Sequence, residues 1–318
     1  MKVRYFHHII RQYSLFIFII TLAGCAVTSE TDDLIPRTIL FSNPERSSPQ
    51  LSPDGKMLAY LASDNNYPAL YVKTVGKNDD RLLTDANPDQ TLSFFWQPDG
   101  VRLIYQIRKI DDGSIWIYAL PLAGGSPIGM TPIPGIQTKI IAVSPDHPSR
   151  ILYSMNNKAP QIYDVYELNL NTQESVQVVS NDIGAVLWIA DHTLTVRIGL
   201  VPLRNGNVKM MHRKDADSEW ETELEWIAED ALNTRPYAFD KDNQTLYMLS
   251  SVGSNTVELR SYNLLTKETY VIGSDPNYDL TGVMIEPRTY NIQAVKFVAE
   301  RADWQIKDQS LKVHFEAV

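Results

Sequence analysis

The groups that could do covalent chemistry are few: one cysteine, Cys25, and six histidines, His7, His8, His147, His192, His212 and His314. A serine nucleophile needs a sharp strand-to-helix turn of the G-x-S-x-G type. No such stretch exists, and neither Gly125-Ser126 nor Gly253-Ser254 has those flanks. The chain also lacks a phosphate-cradling Gly-rich loop, a dinucleotide fingerprint and an H-E-x-x-H zinc helix. His147 and His192 each sit beside an aspartate at a turn, a spacing that gives no metal ligand set. The expectation is a chain that carries no catalytic residue, metal or cofactor of its own. The densest acidic stretch is Trp220 to Trp226, where Glu221, Glu223 and Glu225 alternate with Trp220, Thr222, Leu224 and Trp226. Strand alternation makes this a solvated carboxylate row on an outer strand. With Asp215, Asp217, Glu229 and Asp230 nearby, a divalent-cation or basic-peptide site is the alternative, although carboxylates on one strand splay apart.

The elements that must position these residues repeat. Ser52-Pro53-Asp54-Gly55 is a tight-turn sequence, because Pro fixes φ and Gly supplies φ > 0. It returns as Gln97-Pro98-Asp99-Gly100, Ser144-Pro145-Asp146-His147, Ala190-Asp191-His192, Asp240-Lys241-Asp242-Asn243 and Glu286-Pro287-Arg288-Thr289. Positions 54, 99, 146, 191, 242 and 288 of these turns lie 45, 47, 45, 51 and 46 residues apart. Short apolar or alternating runs precede and follow each turn, giving four strands per unit. A lone four-stranded sheet cannot bury both apolar faces, so such units stack around an axis as the blades of a β-propeller. The predicted fold is therefore all-β over residues 37–318. Six repeats are visible, and Arg37 to Phe41 with Asp303 to Phe315 could add a partial seventh blade. The segment before each turn is the innermost strand, which makes Phe95, Trp96, Trp188 and Tyr237 the candidate axial binding surface.

Composition agrees with a folded, acidic protein. Of 318 residues 44% are hydrophobic, and 29 Lys and Arg against 38 Asp and Glu give a net charge of −9. That balance disfavours nucleic acid and anionic membrane as partners. The N-terminus differs: Lys2, Arg4 and Arg11 precede the apolar run Leu15 to Ala23, which is too short to span a bilayer of ~30 Å. Residues 1–24 are read as a signal peptide, whose removal changes the charge from −9 to −12. Leu22-Ala23-Gly24-Cys25 resembles the lipobox of bacterial lipoproteins, which implies lipidation at Cys25. Ala26 in place of aspartate implies, by the same resemblance, the outer membrane on its periplasmic side. Residues 25–36 then read as a polar tether.

A second resemblance covers the chain from about residue 34 onward. Leu34-Ile35-Pro36, Phe41-Ser42-Asn43-Pro44-Glu45 and Ser47 to Gly55 are similar to the start of the propeller in prolyl oligopeptidase family serine peptidases. The acylaminoacyl-peptidase and dipeptidyl-peptidase branch is the nearest in kind. Thr131 to Gly135, Pro145 to Pro148 and Gln161 to Tyr166 with Leu168-Asn169-Leu170 resemble it too. The resemblance implies a substrate-gating propeller that caps an α/β-hydrolase domain. Since the hydrolase triad has no counterpart here, the expected function is that of a non-catalytic envelope lipoprotein. Its partner would be a peptide or protein, such as a separate hydrolase. The alternative is a free-standing periplasmic propeller that binds a protein or peptide.

Overall fold

The computed structural model describes residues 35–40, 44–64, 67–84, 89–123 and 125–316. Cys25, the signal segment and most of the tether lie outside them. The chain divides into two units, residues 1–45 and residues 46–318. In the first, Arg37–Leu40 is a single helical turn. It is not the strand expected of a seventh blade.

The second unit is a six-bladed propeller of antiparallel sheets. Blade 1 holds β1 (Arg46–Leu51), β2 (Met57–Asp64), β3 (Tyr67–Thr74) and β4 (Arg81–Leu82). Blade 2 holds β5 (Gln90–Trp96), β6 (Arg102–Arg108), β7 (Ile115–Pro121) and β8 (Ile128–Gly129). Blade 3 holds β9 (Thr138–Val143), β10 (Arg150–Ala159), β11 (Ile162–Asn169) and β12 (Ser175–Val179). Blade 4 holds β13 (Leu187–Ala190), β14 (Val196–Pro202), β15 (Val208–His212) and β16 (Glu221–Trp226). Blade 5 holds β17 (Arg235–Phe239), β18 (Thr245–Ser250), β19 (Glu258–Asn263) and β20 (Thr269–Gly273). Blade 6 holds β21 (Leu280–Ile285), β22 (Ile292–Val298) and β23 (Ala302–Ile306). Asp303 to Phe315, the other half of the expected seventh blade, instead supplies β23 and a short helical end, Lys312–Phe315.

The period of two along each second strand builds the core. On β6, Leu103 and Tyr105 pack toward blade 1 while Ile104 packs toward blade 3. On β18, Leu246 and Met248 face blade 4 and Tyr247 faces blade 6. Each strand is thus apolar on both faces, as a sheet sandwiched between two others must be. Five clusters of buried side chains fill the junctions between successive blades from 1 to 6.

The repeated turns form as expected. In blade 1 the Gly55 amide donates to the Ser52 carbonyl at 2.8 Å, while Asp54 accepts from the Ser52 hydroxyl at 2.7 Å. Gly100 donates to Gln97, Leu194 to Asp191 and Asn243 to Asp240 in the same way, while the blade 6 turn closes one residue later, Tyr290 donating to Glu286. The left-handed position is Gly55 (φ +70°) and Gly100 (φ +74°) in blades 1 and 2, but Leu194, Asn243 and Tyr290 in blades 4 to 6, at +62°, +54° and +59°. A bulky side chain at positive φ is strained and must be held by its surroundings.

Candidate functional site: the axial cavity

Where the six inner strands run into their turns they enclose a cavity of about 800 Å³. Every blade contributes to it. Leu51, Ile141, Ile189, Ala238 and Ile285 from inner strands make the wall, and the turn prolines Pro53, Pro98, Pro145 and Pro287 make the rim. The prolines recur there because the turns of blades 1, 2, 3 and 6 place proline at the same corner of the same connection.

Of the four residues expected on this surface, Trp96 and Tyr237 line the cavity. Trp96 is 7% exposed, and its indole N–H donates to the Gln50 carbonyl of blade 1 at 3.0 Å. Tyr237 is 38% exposed. Phe95, next along β5, points the other way and packs against the core between blades 2 and 3. Trp188 is a correction. It is 3% exposed in the core between blades 3 and 4, 5.5 Å from the Trp220 ring, and its N–H donates to the Tyr163 carbonyl. Because Gly199 lies directly across from it on β14, the large indole has room to fold over that strand. The inner strand lies where the repeat predicts it, and Trp188 faces the core between blades 3 and 4 rather than the axis.

His192, expected only as a turn residue, belongs to the cavity, and so does Tyr290, which the repeat pattern did not single out. The His192 amide donates to Asn243 Oδ1 at 3.0 Å and its carbonyl accepts from Ser144 Oγ at 2.7 Å. Its Nε2 lies 3.2 Å from the Phe239 carbonyl, and its ring stacks on Tyr290. Blades 3, 5 and 6 thus all touch this one residue of blade 4. Burial lowers the His192 pKa against the carbonyls and carboxylates around it, and raises that of Tyr290. Asp191 is tied to Arg197 at 3.2 Å. Arg288 also lines the cavity, and its guanidinium forms no ion pair among the described residues. It stands where the first three turns carry Asp54, Asp99 and Asp146, and this change of charge within a repeat was the signal available in the sequence.

The acidic row on β16 is a second correction. β15 and β16 lose register between Met210 and Met211, which pair with Leu224 and Thr222 and leave Glu223 as the extra residue of a bulge. The bulge turns Glu223 inward. Its side chain is 8% exposed, accepts from the Tyr262 hydroxyl, and pairs with Lys267 at 2.5 Å and with His212 at 3.4 Å. Burial works to raise its pKa, but Lys267 and Tyr262 outweigh it and the carboxyl is held low. Glu221 and Glu225 remain exposed. The three carboxylates therefore do not share a face, and among the described residues no group of His, Cys, Asp or Glu is placed to hold a metal ion.

No protein-family model matches the chain. Dipeptidyl aminopeptidase BIII of Pseudoxanthomonas mexicana is 30% identical over 287 residues, covering 89% of this chain and 41% of that protein. A prolyl endopeptidase structure superposes with a TM-score of 0.61 at 11% identity, over 82% of this chain and 41% of its own. Fold and relatives are those of the N-terminal propeller of prolyl oligopeptidase-type peptidases. The isolated β-propeller domain of the Trilobed protease from Pyrococcus furiosus also matches, with a TM-score of 0.51 at 13% identity. There 83% of this chain covers 82% of that one. At such identities the structural matches show the fold alone. The chain spans 41% of the length of the dipeptidyl aminopeptidase it matches. Within this prolyl oligopeptidase-type propeller, the axial cavity is a place to which every blade sends residues.

Proposed function

We propose that this propeller is the non-catalytic, substrate-gating part of a prolyl oligopeptidase-type serine peptidase, held on the periplasmic side of the bacterial outer membrane by lipid on Cys25. The observation that carries the reading is the axial cavity, open, largely apolar and of a size suited to an organic ligand. The 30% identity to a dipeptidyl aminopeptidase over 89% of the chain supports it. In this reading the residues described here supply selection and access, and the acyl-transfer chemistry belongs to an α/β-hydrolase domain that contacts the propeller.

The test is fluorophosphonate labelling of native envelopes followed by pull-down through a tag on this protein. A labelled serine hydrolase, either on the same polypeptide or brought down with it, is the expected result. Turnover by the purified 318-residue chain that vanishes on replacing one of its own serines would overturn it. Palmitate-analogue labelling tests the anchor: label that persists in Cys25→Ser would remove the lipoprotein assignment. The second reading, a free-standing propeller that binds a peptide or protein, is favoured by the same cavity. Capture of a partner with no fluorophosphonate-reactive protein present would select it.

A further inference from the structure

Besides the phenols of Tyr237 and Tyr290, three groups lining the axial cavity can carry charge: Asp191, His192 and Arg288. Two are committed. Asp191 is 6% exposed, neutralised by Arg197, and bonded to the Thr193 and Thr195 amides at 3.0 Å each. His192 is stacked on Tyr290 and bonded through its ring and backbone to blades 3 and 5.

Arg288 is different. Its backbone amide donates to the Glu286 carboxylate at 2.8 Å, which fixes the turn, and its charge helps hold that carboxyl low, while the guanidinium forms no ion pair among the described residues. It also lines an adjoining cavity of about 370 Å³ with Pro53, Trp96 and Asp99. Neither Asp54 nor Asp99 in that cavity pairs with it: Asp54 is engaged by Ser52 and Lys56, and Asp99 by Gln97 and the Val101 amide. A guanidinium that lines both cavities without an ion pair, with an indole and prolines beside it, offers a planar fork to a carboxylate and apolar surface to whatever the carboxylate is attached to.

We propose that Arg288 anchors the C-terminal carboxylate of an extended peptide whose last apolar side chains lie along Trp96, Tyr237 and the turn prolines. This rests on the gating function proposed above. A peptidase that works from the amino end, as the name of the Pseudoxanthomonas relative states, leaves the carboxyl end of its substrate to be held elsewhere. Proline and aromatic surfaces suit the extended backbone of such a peptide, and an inorganic anion would gain nothing from them.

The test is calorimetry on the purified chain with the peptide Ala-Pro-Leu-Phe in four forms: free acid, C-terminal amide, N-acetylated acid, and free acid against Arg288→Gln. The free and acetylated acids should bind alike. The amide should bind about tenfold or more weakly, as loss of a charge-assisted pair requires, and Arg288→Gln should bind acid and amide equally. Arg288→Lys should keep part of the preference. Unchanged melting of both variants, expected of an exposed side chain, shows that folding is intact. Equal binding of acid and amide, no binding at all, a preference that survives Arg288→Gln, or loss of binding on acetylation would each overturn the proposal. Octanoate binding as tightly as the peptide would overturn the peptide assignment. Co-purification of a serine hydrolase with the Arg288→Gln protein would show that the gating assembly stands even where the carboxylate site fails.

Discussion

The imidazole of His192 lies flat on the phenol ring of Tyr290, with centroids 3.4 Å apart and planes 12° from parallel. The two residues come from blades 4 and 6, which are not neighbours, so the contact crosses the turn-side mouth of the axis. Tyr290 reaches it from a left-handed backbone position, φ +59°, where a tyrosine is strained. The stack and the burial of both rings are what hold it there. Tyr290→Ala should widen this mouth and destabilise the propeller by about 1 to 3 kcal/mol, because lost packing exceeds the partial relief of strain. Urea unfolding measures this, and an increase in stability would show that strain dominates.

Stability should fall as the pH is lowered from about 7 to 5. Burial lowers the pKa of His192, and burial followed by the Arg197 cation lowers that of His212. A histidine with a depressed folded pKa takes up its proton more readily when unfolded, near pH 6.5. The stability it contributes is present above that value and is lost as pH drops toward the folded pKa. Carboxylates such as Asp54, held at about 2 by the Ser52 hydroxyl, add their own loss at more acid pH. Melting temperature against pH should therefore be flatter between 7 and 5 in His192→Asn and His212→Gln. Slopes identical to that of the parent would refute the assignment.

Gly199 should not tolerate a methyl group. A Cβ there would sit 2.8 Å from Trp188 Cζ3 and 3.2 Å from Ile183 Cδ1, both in a packed core. Gly199→Ala is expected to cost about 1 to 3 kcal/mol in urea unfolding through overpacking. A neutral result would mean that Trp188 is free to move away, which is the behaviour of a surface residue.

At Gly55 and Gly100 nothing lies within 3.5 Å of the added Cβ, the nearest atom being Pro53 Cδ at 3.8 Å from that of Gly100. Backbone strain is then the whole effect. Valine at either position should cost about 1 to 3 kcal/mol because φ is near +70°. Equal melting temperatures for both variants and the parent would argue against left-handed turns at these sites.

Glu223→Ala should be destabilising by about 1 to 3 kcal/mol, since it leaves the Tyr262 hydroxyl and His212 without their partner. Glu221→Ala and Glu225→Ala, on exposed positions of the same strand, should change stability by less than about 0.5 kcal/mol. Three equal effects would restore the uniform solvated row.

The sequence by itself determined the repeat, the turn and the blade. Pro-Asp-Gly fixes backbone angles locally, and the apolar runs that alternate around it have no stable partner except another copy of the same unit. Hence the strand positions and the propeller could be read from residues a few positions apart. Which side of a strand a residue faces was decided only in three dimensions. One register shift on β16 buries Glu223, and the space beside Gly199 draws Trp188 into the core. The stacking of His192 on Tyr290, 98 positions apart, and the unpaired state of Arg288 depend on six turns converging at one mouth. Local sequence sets the geometry of each turn. The distances between turns are set by the closure of the ring, a property of how all the blades pack together.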